Sequence, residues 1–271
     1  MLNNLFSFLK RNNIFNKVVD FFNIVSTYEC CFCNNKLSDD KYICEDCLKS
    51  IHIIKQSSCC KVCGYPLPDF IDTGNFLDKK QSIVCPSCQS GKRYFNIARS
   101  VFQYKGIIRK CLMNLKFYFQ TDFLSFIGEE IYKVYKTMPK VDYICFIPIT
   151  RVKLFCKGYN HAGLIASSFF KVLKKTSKKE VLLYDFIVKT KSSQSSKELS
   201  QTERWLKKYN FSINQKYTTD EFIKKISGKH ILIIDDIMTT GATLNVASKI
   251  IKQTFPKSNV YCLTFARTML Y

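Results

Sequence analysis

Two adjacent carboxylates and a loop of small, hydroxyl-bearing residues form the stretch of the chain best suited to chemistry. Asp235 and Asp236 directly follow four apolar residues, 231–234, a pattern typical of a buried strand in a parallel sheet. An apolar-periodic run over 244–251 predicts a helix after the loop. The residues of the loop are Thr239, Thr240, Gly241, Ala242 and Thr243. Strand, acids, loop and helix N-terminus therefore follow one another without a break.

This succession suits a sugar phosphate. The first turn of a helix has backbone N–H groups to donate and carries the positive end of the helix dipole, so it attracts a phosphate. Gly241 lets the backbone approach a ligand closely, and the threonines add hydroxyl donors. Asp235 and Asp236 can accept hydrogen bonds from a sugar diol beyond the phosphate. In open α/β sheets, ligands bind at this edge, outside the carboxyl ends of the strands.

The stretch resembles the phosphoribosyl pyrophosphate (PRPP) motif of type I phosphoribosyltransferases, which has a hydrophobic strand, two acids and then Thr-Thr-Gly-x-Thr. The alternative gives these residues only structural roles, with the acids ending a strand and Thr243 capping a helix. The combination of residue types at this spacing favours the PRPP motif.

A second basic segment follows an earlier apolar strand, predicted over 141–149. Thr150, Arg151 and Lys157 lie in what the sequence predicts to be a loop, before a helix that runs to about Lys174. A pyrophosphate in such a loop would meet backbone N–H groups and positive charge. A solvated basic loop is the alternative.

The order of the remaining elements predicts an α/β fold. Strands over 97–104, 181–188 and 260–265 alternate with apolar-periodic helices, so we expect a parallel sheet with helices on both faces. A long polar segment, 189–210, contains Gln194 and Arg204 and is typical of a mobile lid beside a ligand site.

Fourteen cysteines point to metal rather than to disulfides. Eight of them form four Cys-x-x-Cys pairs, and two such pairs close one tetrahedral structural zinc site. We therefore expect two structural zinc ions, and both sequential and interleaved pairing fit the sequence. The eight ligands are Cys30, Cys33, Cys44, Cys47, Cys60, Cys63, Cys85 and Cys88. A segment this short needs its metal in order to fold.

Four further cysteines stand alone in apolar segments, where buried packing thiols are commoner than nucleophiles. They are Cys111, Cys145, Cys156 and Cys262.

The charge predicts a polyanionic partner. The 271-residue chain has 42 basic and 21 acidic residues and a formal net charge of +21, which suits a nucleic acid or an anionic membrane surface. A lysine-rich surface without a partner is the alternative. Lys105 and Lys116 adjoin aromatic residues, an arrangement that could receive stacked bases, although aromatics at helical spacing are more often part of a core.

Residues 1–29 have helical apolar spacing with intervening basic residues, so this segment could lie on a membrane or dock on the protein, and docking is favoured. It has no unbroken apolar core of the kind found in secretory signals, and no run approaches the length of a membrane span. We expect a cytoplasmic protein with reduced thiols. Peripheral contact with the inner face of the cell membrane is the alternative left open.

From Cys30 to Arg267 the order of parts resembles the ComF family of competence proteins, which pair a zinc module with a phosphoribosyltransferase-like domain. The cysteine pairs match the family's zinc region. Lys157-Gly158-Tyr159-Asn160-His161-Ala162 matches its Arg-Gly-Phe-Asn-Gln-Ala, with Lys157 in place of the arginine, and Gln194 and Arg204 match its lid. The apolar spacing predicts a helical segment over 1–29, and the resemblance implies a double zinc-knuckle module over 30–92 and a phosphoribosyltransferase-like domain over 93–271.

The resemblance also implies a role in natural transformation, at the step where single-stranded DNA reaches the cytoplasm. The implied ligand is PRPP or a related ribose phosphate with Mg²⁺, and the implied partners are single-stranded DNA and the translocase or helicase of DNA uptake. Asp235 and Asp236 are the best catalytic candidates if there is turnover. One alternative is an active phosphoribosyltransferase that releases pyrophosphate from PRPP. Another is a zinc-ribbon nucleic-acid binder whose ligand site is a relic.

Overall fold

A computed structural model describes residues 29–37, 43–67, 84–118, 121–189 and 210–269. The predicted helical segment 1–29, except for Glu29, and the lid residues Gln194 and Arg204 lie outside the described residues. The chain divides into two compact units, Met1–Lys49 and Ser50–Tyr271. This division falls inside the cysteine-rich segment 30–92, between its second and third Cys-x-x-Cys pairs.

Within its described residues, the first unit contains the first two cysteine pairs and one short helix. The helix is α1 (Glu45–Lys49), and Cys47 is its buried residue.

The second unit is built on seven strands and seven helices within the described ranges. The strands are β1 (Ile97–Gln103), β2 (Tyr143–Phe146), β3 (Leu182–Leu183), β4 (Ile187–Lys189), β5 (Phe211–Ile213), β6 (His230–Met238) and β7 (Asn259–Arg267). The helices are α2 (Pro86–Gln89), α3 (Gly106–Phe117), α4 (Leu124–Tyr135), α5 (Arg151–Lys157), α6 (His161–Thr176), α7 (Asp220–Ile226) and α8 (Ala242–Thr254).

Five of the strands form one parallel sheet, in the order β1-β7-β6-β2-β3, which confirms the predicted α/β architecture. β6 and β7 are its two longest inner strands, and apart from Asp235, Asp236, Thr264 and Arg267 their buried residues are apolar. Such strands are buried on both faces, as expected for a parallel sheet covered by helices. β4 and β5 pair separately as an antiparallel ribbon, so the single strand predicted over 181–188 is in fact two.

The core places α8 directly behind β6. Leu244 and Ile251 of α8 pack in one cluster with Ile231 and Ile233 of β6. Because this packing fixes the helix against its own strand, the loop between them is held at the carboxyl edge of the sheet. β2 and β7 end at the same edge.

One predicted loop is a helix. Residues 151–157 form α5, because Thr150 caps its N-terminus by accepting a hydrogen bond from the Lys153 N–H (3.3 Å) and Gly158 ends it in the left-handed region (φ 75°). Every residue of α5 is exposed. No helix in the described ranges is long and apolar enough to cross a bilayer.

Candidate ribose-phosphate site and metal centres

The two acids lie within β6 rather than after it, close to its carboxyl end. Asp235 is 8% exposed and Asp236 is 6% exposed. The Asp236 N–H donates to Asp235 Oδ1 at 2.9 Å, and the Ile237 N–H donates to Asp236 Oδ1 at 2.7 Å. Each carboxylate is thus oriented by the backbone of the residue that follows it.

A lysine from a distant helix approaches the pair. Lys116, near the end of α3, forms an ion pair with Asp236 Oδ2, and His161 Nε2 lies 3.5 Å from the same oxygen. In the described part of the chain, Asp235 forms no ion pair. Sequence analysis considered Lys116 only as a possible neighbour of stacked bases, so its contact with Asp236 is a position in the candidate site that sequence reasoning missed.

The environment separates the two acids chemically. Burial raises the pKa of Asp235 well above its ordinary value, and the neighbouring charge of Asp236 raises it further, while the charge of Lys116 acts in the opposite direction. Burial also lowers the pKa of His161, outweighing the attraction of Asp236, so its imidazole favours the neutral form. The raised pKa favours the protonated form of Asp235, and the ion pair with Lys116 is made by its neighbour Asp236.

The loop after β6 leads directly into the N-terminus of α8. Thr239 and Thr240 are exposed, and Gly241 is the N-cap of α8 with φ 79°. The positive φ favours glycine at this position, and a side chain there would also displace the methyl group of Met238. Gly241 supplies no side-chain cap, and the first turn of α8 contains Thr243 and Ala242, whose N–H donates to Thr240 Oγ1 at 3.4 Å.

The second basic segment is connected to the acid pair through α3. Lys157 Nζ donates to the Lys116 carbonyl at 3.0 Å and lies 4.8 Å from the Phe117 ring centroid, and the Tyr159 hydroxyl donates to the Leu115 carbonyl at 2.8 Å. The charged group of Lys157 is therefore engaged with α3. Arg151 is exposed on α5.

The eight paired cysteines form two tetrads, and the pairing is sequential. Cys30, Cys33, Cys44 and Cys47 form one tetrad, and Cys60, Cys63, Cys85 and Cys88 form the other; within each, the Sγ atoms all lie within 4.8 Å of one another. Tetrahedral zinc–thiolate bonds of about 2.3 Å place sulfurs about 3.8 Å apart. The observed Cys33–Cys44 and Cys63–Cys85 separations are 3.7 and 3.6 Å. Either tetrad could hold such an ion.

Each tetrad begins with the same kind of turn. The residues after its first pair, Asn34 and Gly64, adopt φ 60° and 68°, and each N–H donates to the carbonyl of the first cysteine at 2.8 Å. Burial opposes thiolate formation at these first cysteines, but N–H groups aimed at the sulfurs outweigh it. The pKa of Cys30 falls to about 6 and that of Cys60 to about 7. Both are thereby prepared to bind a cation as thiolates.

The lone cysteines are packing thiols with one exception. Cys111, Cys145 and Cys262 are buried, and burial raises the pKa of Cys262 to about 12. Cys156 is exposed, so its predicted burial is wrong. The reason is that it lies on α5, which buries none of its residues.

Comparison with known proteins agrees with this architecture. The phosphoribosyl transferase domain family matches residues 157–269. A Competence protein ComFC from Streptococcus pneumoniae is 26% identical over 80% of this chain and 84% of its own. A Competence protein ComFC from Bacillus subtilis is 22% identical over 86% of this chain and 87% of its own.

Among solved structures, adenine phosphoribosyltransferase from Saccharomyces cerevisiae is 16% identical, with coverage of 55% of this chain and 68% of that chain and a TM-score of 0.30. A score this low carries no weight. The phosphoribosyltransferase-type fold rests on the parallel sheet and on the domain match, and both agree with the predicted class.

We predict that the two tetrads hold metal independently. Cys33→Ser and Cys88→Ser should each reduce the zinc content from two ions to one per chain, since each removes one ligand of a four-ligand site. Elemental analysis of purified protein measures this. Cys156→Ser, which changes an exposed cysteine outside the tetrads, is the control and should retain both ions. A zinc content unchanged by either tetrad variant would contradict the assignment.

We also predict that Asp235→Asn stabilises the ligand-free protein at neutral pH. The raised pKa means that the folded state holds the Asp235 proton more tightly than the unfolded state, so stability falls as pH rises from about 4 through the folded pKa. Asparagine removes this penalty and can still accept from the Asp236 N–H. Asp235→Asn should therefore raise the melting temperature at pH 7 and leave it unchanged below pH about 4.

Asp142→Asn is the control of opposite sign. Burial acts to raise the pKa of Asp142, but hydrogen bonds from Lys179 (2.8 Å) and the His230 N–H (2.8 Å) lower it below the ordinary value. Its contribution to stability is present above the unfolded pKa and lost as pH falls through the folded pKa. Asp142→Asn should therefore have a lower melting temperature than the wild type at pH 7. Equal effects of both variants across the pH range would refute the account.

Proposed function

Because the chain belongs to the ComF-like competence proteins and carries a phosphoribosyl transferase domain, we propose that it acts in natural transformation by binding a ribose phosphate and single-stranded DNA. The ribose phosphate is PRPP or a close relative, bound with Mg²⁺. The step is the handling of incoming single-stranded DNA at the cytoplasmic side, together with the translocase or helicase of DNA uptake.

The observation that supports ribose-phosphate binding is the buried acid pair followed by a glycine-capped helix N-terminus. In the proposed complex, Asp235 and Asp236 accept hydrogen bonds from the 2′ and 3′ hydroxyls of the ribose. Thr239 to Thr243, with the first N–H groups of α8, hold the 5′-phosphate. The 3.3–3.4 Å rise per residue of a strand and the short loop keep these two sets of groups within the length of one sugar phosphate.

The pyrophosphate of PRPP would lie toward the basic segment. Thr150 and Arg151 would approach it from the N-terminus of α5, and Asp235 and Asp236 would hold a Mg²⁺ ion that offsets its negative charge. Lys116 is the cation in contact with Asp236 in the ligand-free protein, so a bound Mg²⁺ or diol would compete with it. Lys157 would have to leave the Lys116 carbonyl to reach the pyrophosphate.

The surface formed by α5 and the end of α3, which we call the aromatic–basic surface, supports the DNA part of the proposal. Phe117, Tyr118 and Phe155 are 60%, 78% and 91% exposed. The Lys157–Phe117 contact places a cation against one of these rings. Single-stranded nucleic acids bind where bases can stack on aromatic rings beside cations that neutralise the phosphates.

The two segments that form this surface carry charge of one sign. The segments 97–121 and 143–179 contain α3, α5 and α6, and neither contains an aspartate or glutamate. Arg151 and Lys153 add exposed positive charge on α5 itself. An acid-free surface with protruding aromatic rings favours a nucleic acid over a protein partner.

Turnover is the second candidate function. The phosphoribosyl transferase domain match and an aspartate with a raised pKa beside the expected ribose favour it. The reaction would break the bond between ribose C1 and pyrophosphate and form a bond from C1 to an acceptor. Release of pyrophosphate in the presence of candidate bases, absent without them, would separate this candidate from binding alone.

The ribose-phosphate site is tested by calorimetric titration of the zinc-loaded protein with PRPP and Mg²⁺. We expect saturable 1:1 binding that Asp235→Asn/Asp236→Asn abolishes, because the diol loses its charged acceptors. Asp142→Asn, also in the second unit but hydrogen-bonded to Lys179 and His230, is the matched control and should bind like wild type. A folded wild type that binds no PRPP would overturn the proposal.

The DNA surface is tested by fluorescence anisotropy with a labelled single-stranded oligonucleotide. Phe155→Ala should weaken binding about tenfold, the value of one stacked base, and leave the salt dependence unchanged. Ile53→Ala, which removes an apolar side chain that is 59% exposed beside β1, is the control and should have no effect. Unchanged affinity of Phe155→Ala and Tyr118→Ala alike would place the DNA elsewhere.

A further inference from the structure

A buried arginine connects the second cysteine tetrad to the phosphate loop. Arg267 ends β7 and is 3% exposed. The parallel ladder between β6 and β7 sets it beside Met238, and the Thr268 N–H donates to the Met238 carbonyl at 3.0 Å. The arginine therefore lies next to the last residue of β6, immediately before the loop.

The guanidinium group reaches in two directions. Its Nη1 donates to the Cys63 carbonyl at 2.6 Å and also contacts Met238 Sδ at 3.2 Å. Its Nη2 lies 3.9 Å from Cys63 Sγ, and the group lies 5.1 Å from the centre of the Tyr65 ring. One rigid, planar side chain thus touches both the metal-binding turn and the residue beneath the phosphate loop.

Met238 transmits this contact to the loop. Its methyl group fills the space into which a side chain at Gly241 would project, so the two residues are packed against each other. Gly241 is the N-cap of α8, where the 5′-phosphate is proposed to bind. A displacement of Met238 would therefore change the position of the N–H groups that the phosphate needs.

Electrostatics explain why an arginine is tolerated in this buried place. In the described part of the chain, no carboxylate forms an ion pair with Arg267. A divalent cation held by four thiolates leaves a net charge of about −2, so the loaded tetrad supplies the missing counter-charge. A buried charge needs such compensation, because desolvation otherwise makes it strongly unfavourable.

A cavity of about 520 Å³ is lined by residues of both the tetrad and the loop, with Cys63 and Cys85 on its wall together with Thr240, Ala242 and Arg267. A second connection runs through Asn245 of α8, which accepts from the Tyr94 N–H at 2.7 Å and donates to the Lys92 carbonyl at 3.3 Å. Arg267 is the connection that reaches Met238, the residue immediately before the loop.

We infer that Arg267 is a positioning residue, which holds the phosphate loop in its binding conformation by anchoring Met238 to the second cysteine tetrad. The inference rests on the proposed ribose-phosphate site and adds that the tetrad, although not in contact with the ligand, helps to set the affinity for the 5′-phosphate. The phosphate end of the ligand depends on this anchor, whereas the pyrophosphate end, at the N-terminus of α5, does not.

The test compares two probes, ribose 5-phosphate and pyrophosphate with Mg²⁺, by calorimetry on zinc-loaded protein. Arg267→Gln should weaken ribose 5-phosphate binding about tenfold, the usual effect of losing a buried charged hydrogen bond, and leave pyrophosphate binding unchanged. Arg267→Lys keeps the positive charge but not the planar guanidinium group, so it should weaken ribose 5-phosphate binding less than Arg267→Gln does. Zinc content is measured for each variant.

Arg99→Gln is the matched control, because Arg99 donates to the Lys61 carbonyl (3.1 Å) and the Cys60 carbonyl (3.4 Å) of the same metal-binding turn without such a contact to Met238. It should bind ribose 5-phosphate like wild type. The inference is overturned if both Arg267 variants bind ribose 5-phosphate like wild type, or if they lose both probes equally. A wild type that binds neither probe would instead remove the proposed function on which the inference depends.

Discussion

The burial of two adjacent carboxylates at the carboxyl edge of the sheet is the constraint on which the rest of the site depends. Neighbouring charges in a low-dielectric setting repel each other and lose their hydration, which is costly unless a cation or hydrogen-bond donors compensate. Backbone N–H groups orient Asp235 and Asp236, and Lys116 arrives from α3 to neutralise one of them. A ligand that supplies hydroxyl donors and Mg²⁺ would relieve the same strain, so the unfavourable ligand-free state favours binding.

The cysteine tetrads bear on the folding of the cysteine-rich segments. The cysteine-rich segments offer few large apolar residues for a core, and a metal ion held by four thiolates would supply folding energy that such a core cannot. The second tetrad belongs to the same compact unit as the sheet, where the Ala98 N–H donates to the Val62 carbonyl at 2.7 Å and joins the metal-binding turn to β1. The turn is thereby fixed relative to the strands that carry the site, and Arg267 extends that connection to the phosphate loop.

Features set by residues close together in the sequence were predictable. The acid pair, the loop, the parallel sheet and the four cysteine pairs follow from residue types at short spacings. The sequential pairing of the cysteine pairs was left open by the sequence, and in the structure each tetrad lies within one compact unit. Lys116 and Arg267 could not be assigned, since 120 and 29 positions of sequence separate them from Asp236 and Met238 and only the tertiary fold brings them together. α5 was predicted as a loop because its apolar residues face solvent and give no core periodicity, although Thr150 and Gly158 were the capping signals that could have revealed it.

The most direct test of the central claim is a crystal structure of the zinc-loaded protein with PRPP and Mg²⁺. The account predicts electron density for the 5′-phosphate at the N-terminus of α8, for the ribose diol at Asp235 and Asp236, and a Lys116 side chain displaced from Asp236. Well-ordered PRPP bound away from the acid pair, or a ribose-phosphate site that stays closed by the Lys116 contact at saturating ligand, would contradict it.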